Sequence, residues 1–291
     1  MRKPHNQWHE SAFLRALEKK GGVKRQTGGS TIEYPIDYQQ NAGGDFLASS
    51  TTATSVSQTD VIAGASYSFA ELVVPINWTF NDEAANRGEQ KIPFVKNIIQ
   101  NAVNTHDQLI EAGLFTTSTD GFLGMANLIP TSGQPNVGSI DGASAAYWRN
   151  YADSYLADGS DLEAALTVAY LTVGKGTGSN LAPKILVSGP DGIGLYESTL
   201  QPLQRFEGQE GAGGYKSLAF KDADFVYSQN GGTKIYGLNP TSFNLVVNTG
   251  AWRTLNDSVQ MPAAAMMNQK IYSRLQACIN NPSRLFVLDV A

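Results

Sequence analysis

The residues able to do chemistry are few. The chain of 291 residues holds three histidines and one cysteine. His5 and His9 stand at i,i+4, a spacing that presents two ligands on one helical face. But His9-Glu10 runs on into Ser-Ala-Phe, so the His-Glu-x-x-His metalloprotease pattern fails, and no further ligand lies close in sequence. His106 is the histidine that a Ser-His-Asp triad would need. No Gly-x-Ser-x-Gly elbow exists, and Gly142-Ala143-Ser144-Ala145-Ala146 lacks the second glycine. "VGKGTGS" has the look of a phosphate loop, but Ala169 stands where the first glycine belongs and Gly176 where Ser or Thr should follow the lysine. "GPDGIG", Gly189–Gly194, lies between a predicted strand and a predicted helix, where a nucleotide loop would sit, with the wrong glycine spacing. The acids are scattered rather than paired. These residues assign no catalytic, cofactor-binding or metal-binding role, and the chain is expected not to be an enzyme. His106, on an apolar helical stripe, is expected to be a satisfied buried or interface histidine, and Cys278 a small core residue.

Charge is more informative. Net charge is −5, and Met1–Gly28 carries Arg2, Lys3, Arg15, Lys19, Lys20, Lys24 and Arg25 against Glu10 and Glu18, so this segment is +5 and the remainder −10. A basic arm ahead of an acidic body fits contact with nucleic acid or with an acidic copy of the chain. No run approaches a membrane span, the N-terminus has no secretory apolar segment, and one cysteine rules out an internal disulfide.

Periodicity supplies the elements. Residues 8–20 form a short amphipathic helix with Phe13, Leu14 and Leu17 on one stripe, stopped by Gly21-Gly22. In "GGSTIEYPIDYQQNAGG", Ile32, Tyr34, Ile36 and Tyr38 alternate with polar residues, the period of a half-buried strand, and Pro35 marks it as an edge. The strand returns in "SYSFAELVVPINWTF", where the apolar set moves from Tyr67 and Phe69 to Leu72, Val74, Ile76, Trp78 and Phe80. Such a one-residue phase change swaps the buried face. Residues 30–69 are thus expected to be a long hairpin. Lys91–Gly113 is the strongest helix, striped by Ile92, Val95, Ile99, Val103, His106 and Ile110, with Ile98, Ala102 and Leu109 beside it. Ser160-Asp161-Leu162-Glu163 reads as a capping box opening a helix to Gly174. Then come a strand at Lys184–Ser188, a helix to Phe206, a glycine-rich loop at Gly208–Gly214 and two or three strands around Gly231-Gly232. The last segments are "MMNQKIYSRLQACIN", open between helix and strand, and "SRLFVLDV". Strands and helices cluster separately, so the class is α+β.

This order of parts resembles the major capsid proteins of tailed bacteriophages, the Hong Kong 97-type family. The matching stretches are "STIEYPIDYQQ" with "FAELVVPINWTFND", "IPFVKNIIQNAVNTHDQLIEAGLF", "GPDGIGLYESTLQPLQRF", "LAFKDADFVYSQ" and "IYGLNPTSFNLVV". The resemblance implies an N-terminal arm (1–28), an extended loop (29–69), a peripheral domain (70–150) with spine helix 91–113, and an axial domain (151–253). Parts of 254–291 belong to each domain. It implies self-assembly into pentamers and hexamers of an icosahedral head around double-stranded DNA, with an encapsulin-like cargo compartment as the alternative and a small α+β enzyme or binding domain behind both. Ile32, Tyr34, Ile36, Tyr38, Phe46, Tyr67 and Phe69 of the loop would then meet a neighbouring subunit. Arg2, Lys3, Arg15, Lys19, Lys20, Lys24 and Arg25 would face the interior and DNA. The implied partners are further copies, a scaffolding protein, a portal, a decoration protein and non-specific DNA, with no membrane and no cofactor. The implied location is the virion, after assembly in the host bacterial cytoplasm. Two departures stand out. The extended loop comes by about residue 30, so a cleaved scaffolding segment of about a hundred residues is not expected. No lysine lies between Gln26 and Asn86, so lysine crosslinking through the loop is not expected.

Overall fold

The computed structural model describes residues 11–39, 60–85, 94–117, 120–175, 181–200, 218–262 and 264–291. The chain opens with α1 (Ala12–Lys19) and β1 (Val23–Gln26), then β2 (Thr31–Asp37), β3 (Ile62–Ser68) and β4 (Ala70–Thr79). Helices α2 (Phe80–Ala85), α3 (Phe94–Phe115) and α4 (Met125–Leu128) follow, then short β5 (Asn136–Val137) and β6 (Ile140–Asp141). Next come β7 (Tyr151–Tyr155), α5 (Leu162–Gly174), β8 (Ile185–Ser188) and α6 (Pro190–Thr199). The remaining strands are β9 (Ala219–Phe220), β10 (Ala223–Tyr227), β11 (Ile235–Leu238), β12 (Phe243–Asn248), β13 (Thr254–Leu255), β14 (Val259–Gln260), β15 (Met266–Ile279) and β16 (Phe286–Val290).

Strand β15 organises the first sheet. It pairs antiparallel with β4 from Met266↔Thr79 to Leu275↔Ala70. Along its other edge lie β14, β13 and β12 in turn. This settles the helix–strand ambiguity of 266–279 in favour of strand. Its Ile271 meets Val74, Ile76 and Trp78 of β4 and Ala102 of α3 in a small core, so one face of β4 and β15 is covered by the long helix. Pro75 lacks an N–H, and β4 tolerates it because the strand lies at the sheet edge, hydrogen-bonded to β15 alone among the described strands. The phase change stands where expected: Ala65 and Tyr67 are buried on β3, Ala70, Val74, Ile76 and Trp78 on β4, and Phe69 lies between the strands.

The second sheet has the order β7-β16-β11-β8-β10-β9. Strand side chains alternate between faces, so the parity of each residue decides its core. Ile185, Val187, Val226, Tyr236 and Val287 join Phe13, Leu17 and Leu114 on one side. Leu186, Phe225, Ile235 and Leu288 join Leu162, Leu166 and Tyr196 of α5 and α6 on the other. The result is a layer of α5 and α6, a sheet, and a layer of α1 with the end of α3. Strand β8 is buried at all four positions, as a strand covered on both faces must be.

Several expectations change. Residues 12–26 are anchored on the body of the chain: Phe13, Ala16 and Leu17 are fully buried, and β1 pairs in parallel with β12 through four residues. Helix α3 does not stop at Gly113 but runs to Phe115, and Gly113 permits close approach, since a Cβ there would lie 3.0 Å from the Phe122 ring. Residues 91–93 lie outside the described set. The capping box is absent. Asp161 is the N-cap of α5 and makes no side-chain cap bond, because its carboxylate accepts the N–H of Leu156 instead. Helix α6 ends at Thr199 rather than Phe206, and Gly208–Gly214 lies outside the described residues.

Candidate assembly surfaces

The hairpin of β2 and β3 pairs from Thr31↔Ser68 to Asp37↔Ile62. Its apolar face, expected at a subunit contact, packs on its own chain. Ile32 and Tyr67 are buried at 3% exposure each. The Tyr67 hydroxyl donates to the Ile279 carbonyl at 2.8 Å, and burial pushes both Tyr67 and Tyr34 above the usual phenol range. Tyr34 meets Tyr67 edge to face, and Tyr38 stacks on Tyr147 at 4.6 Å. Tyr34, Ile36 and Phe69 are partly buried against the same core, and the Arg274 guanidinium lies 5.0 Å from the Phe69 ring centre. Ser66 donates its N–H to Gly138 of the β5–β6 turn, where φ is +68° and a Cβ would lie 2.9 Å from the Tyr67 ring. The alternation in the sequence correctly gives the buried face. It cannot show that the cover is the chain's own β5–β6 turn, 70 to 100 residues away. The opposite face, with Thr31, Glu33, Pro35 and Asp37, is exposed, as is Ile62 at 66%. Phe46 lies outside the described residues.

The basic residues are partly gathered. Arg2 and Lys3 lie outside the described residues. Lys20 pairs with Asp224 at 2.9 Å, which ties α1 to β10. Arg15 and Lys19 are exposed on α1, and Lys24 and Arg25 are exposed on β1, an edge strand. Charge on an edge strand also discourages unwanted strand pairing. Arg15 and Arg253 line a cleft of about 300 Å³ between α1 and α3, together with Gln100, Asn104 and Gln108.

His106 sits in a cluster in which it and Ser273 are fully buried while Asp107 and Arg253 reach the surface. Its Nε2 lies 2.8 Å from Ser273 Oγ and its Nδ1 3.2 Å from Asp107 Oδ1. The Asp107 carboxylate can only accept, so in the neutral ring Nδ1 carries the proton and Nε2 accepts from the Ser273 hydroxyl, whose oxygen in turn accepts the Arg253 backbone N–H at 2.8 Å. The Arg253 guanidinium closes the ring on Asp107 at 2.6 Å. These are the residue types of a hydrolase triad, yet Ser273 and His106 are 0% exposed and no substrate reaches them. The cluster is a tie between α3, β15 and the segment entering β13. The sequence motif search missed Ser273 because it lies in a strand 167 residues from His106.

The glycine-rich turn before α6 is not an anion site. The Gly189 N–H donates to the Gly232 carbonyl, and a Cβ at Gly189 would lie 2.3 Å from that oxygen, so the Gly231-Gly232 turn fills the helix N-terminus. Among the described residues no group of three or more His, Cys, Asp or Glu is placed to hold a metal, and no helix is long and apolar enough to cross a membrane. Cys278 is buried, and burial pushes its thiol far above the usual range.

No family model matches the sequence, and no curated protein matches it either. Solved structures do match in fold. The chain superposes on the capsid of a native GTA particle with a TM-score of 0.68 at 11% identity, covering 100% of this chain and 94% of that one. The capsid of cyanophage A-1(L) gives 0.65 at 14% identity, with coverage of 99% and 94%. The capsid of Myoviridae phage XM1 gives 0.62 at 12% identity, with coverage of 100% and 95%. Nearly the whole length of each chain is shared, so the likeness extends over the complete α+β architecture rather than one layer of it.

Proposed function

We propose that this chain is the major capsid protein of a tailed bacteriophage, assembling by contacts between copies into a closed shell around double-stranded DNA. The observation that carries the proposal is the end-to-end fold match to phage and GTA-particle capsid chains. Assembly of identical chains into closed particles requires heterologous contacts whose rotations close. The exposed face of the β2–β3 hairpin is the surface offered to a neighbour, since its other face is taken up by the chain's own core. Arg15, Lys19, Lys24 and Arg25 form the surface offered to DNA, neutralising phosphates without reading sequence. A peripheral part built on β4, β15 and α3, and an axial part built on the second sheet, follow from the family resemblance.

Scaffold, portal and decoration proteins are the further partners of this proposal, and the host cytoplasm is where assembly takes place. The test is sizing chromatography with electron microscopy of the purified chain, followed by extraction of the particle contents. Closed particles holding nuclease-protected DNA are expected from infected cells. A compact monomer or dimer under all assembly conditions, or particles filled by a cargo enzyme in place of a genome, would overturn it.

A further inference from the structure

Helix α5 is apolar on two sides. Leu162, Leu166, Ala169, Tyr170 and Val173 face the second sheet and are buried. Ala164, Val168 and Leu171 point the other way, and Val168 and Leu171 are 51% and 43% exposed. The spacing of four and three residues makes this outer set a continuous stripe along one helical face. An apolar stripe left about half in water suits a second surface, and no described residue closes over this one.

The stripe has a charge at each end. Glu163 is exposed in the first turn, with Asp158 just before it, and Lys175 is exposed at the C-cap. An anionic polymer or an anionic membrane would be repelled by the acidic end. A surface with the same layout is matched: the acidic end of one stripe meets the basic end of another, and the apolar middle is removed from water.

We infer that the outer stripe of α5 is a contact between copies of this chain, with Glu163 of one copy set against Lys175 of the next. The inference rests on the shell-forming function proposed above and names one of its contact surfaces. Val168 and Leu171 lie outside the monomer core, so changing them leaves the fold intact while removing the contact.

The experiment compares wild type with the double variant Val168→Glu, Leu171→Glu in particle yield by electron microscopy and in oligomeric state by sedimentation. Thermal melts verify that both are folded. The double variant is expected to lose roughly tenfold or more of the assembled material with an unchanged monomer melt. Glu163→Lys and Lys175→Glu each weaken assembly, and the two together recover it. A double variant that assembles as well as wild type overturns the inference and leaves the shell function standing. Wild type that dimerises through the stripe without forming particles supports the contact and overturns the shell function. Wild-type chain that binds anionic vesicles or DNA, with binding lost on Val168→Glu, Leu171→Glu, overturns the contact in favour of those occupants.

Discussion

Replacing Ser273 by alanine separates a structural tie from a latent nucleophile. The substitution removes one oxygen from a fully buried site. His106 Nε2 loses its partner at 2.8 Å, and the Arg253 N–H loses its acceptor at the same distance. A buried polar group left without a partner costs about 1–3 kcal/mol. Nε2, deep under α3, bears that cost in full. The N–H of exposed Arg253 can recover water and loses about 0.5–1.5 kcal/mol, the net value of an ordinary hydrogen bond. The sum is a destabilisation of about 1.5–4.5 kcal/mol, large beside the roughly 5–15 kcal/mol by which a domain is held folded. The assay is urea unfolding of unassembled subunits, followed by tryptophan fluorescence. Trp252, whose ring lies 5.5 Å from that of His106, is a local reporter. The expected result is a lower midpoint at unchanged slope, with no ester-hydrolysing activity in either protein. A loss below about 0.5 kcal/mol would refute the reasoning, because it would mean that Nε2 and the Arg253 N–H are not held by Ser273. Hydrolysis by the wild type that vanishes in Ser273→Ala would refute the assignment of a purely structural role.

Tyr67→Phe removes the donor to the Ile279 carbonyl and should cost about 1–2 kcal/mol in the same unfolding assay, with Gly138→Ala costing more because a Cβ would collide with the Tyr67 ring. Asp141 is held below the usual carboxylate range by the Ala143 N–H and then by the Ser144 hydroxyl and N–H. Because its native value is depressed, its contribution is complete above about pH 4 and fades as pH falls through that lowered value. Asp141→Asn should therefore flatten the acid limb of a stability–pH curve below about pH 4 and leave the pH-dependence near pH 7 unchanged. Cys278 should resist thiol reagents in the native protein and react on unfolding, since burial both shields the sulfur and suppresses its thiolate. If Arg15, Lys19, Lys24 and Arg25 contact phosphates, replacing all four by Ala should lower the slope of log affinity against log salt by about 3–4, at roughly 0.9 per contact, and an unchanged slope would remove them from the DNA surface.

Local periodicity carried most of the element order. The alternation in β2 and β3, the phase change at Phe69 and the stripe of α3 are consequences of side chains obeying the geometry of their own strand or helix, and each was legible from neighbouring residues. The buried character of His106 and Cys278 followed in the same way. Misplaced features were those where a distant residue competes with a local rule. Asp161 would cap α5 by rule, but Leu156 takes its carboxylate. Gly113 would end α3 by rule, but Phe122 needs the space that a missing Cβ leaves.

The sequence by itself determined which face of each element is apolar. Only the tertiary structure decided what covers that face. Ile32 and Tyr67 looked outward-bound in sequence because no nearby segment could bury them. In space Tyr67 meets the turn at Gly138 and, across 212 residues, the end of β15, and Ile32 is buried in the same core. The same holds for Ser273, whose partner His106 comes from another element altogether, and for the basic segment, most of whose described residues are anchored by Phe13, Leu17 and the pairing of β1 with β12. The converse case is α5, where folding leaves Val168 and Leu171 in water. Side-chain periodicity is a property of the backbone and is fixed within a few residues. Coverage depends on where the rest of the chain, or another copy of it, comes to lie.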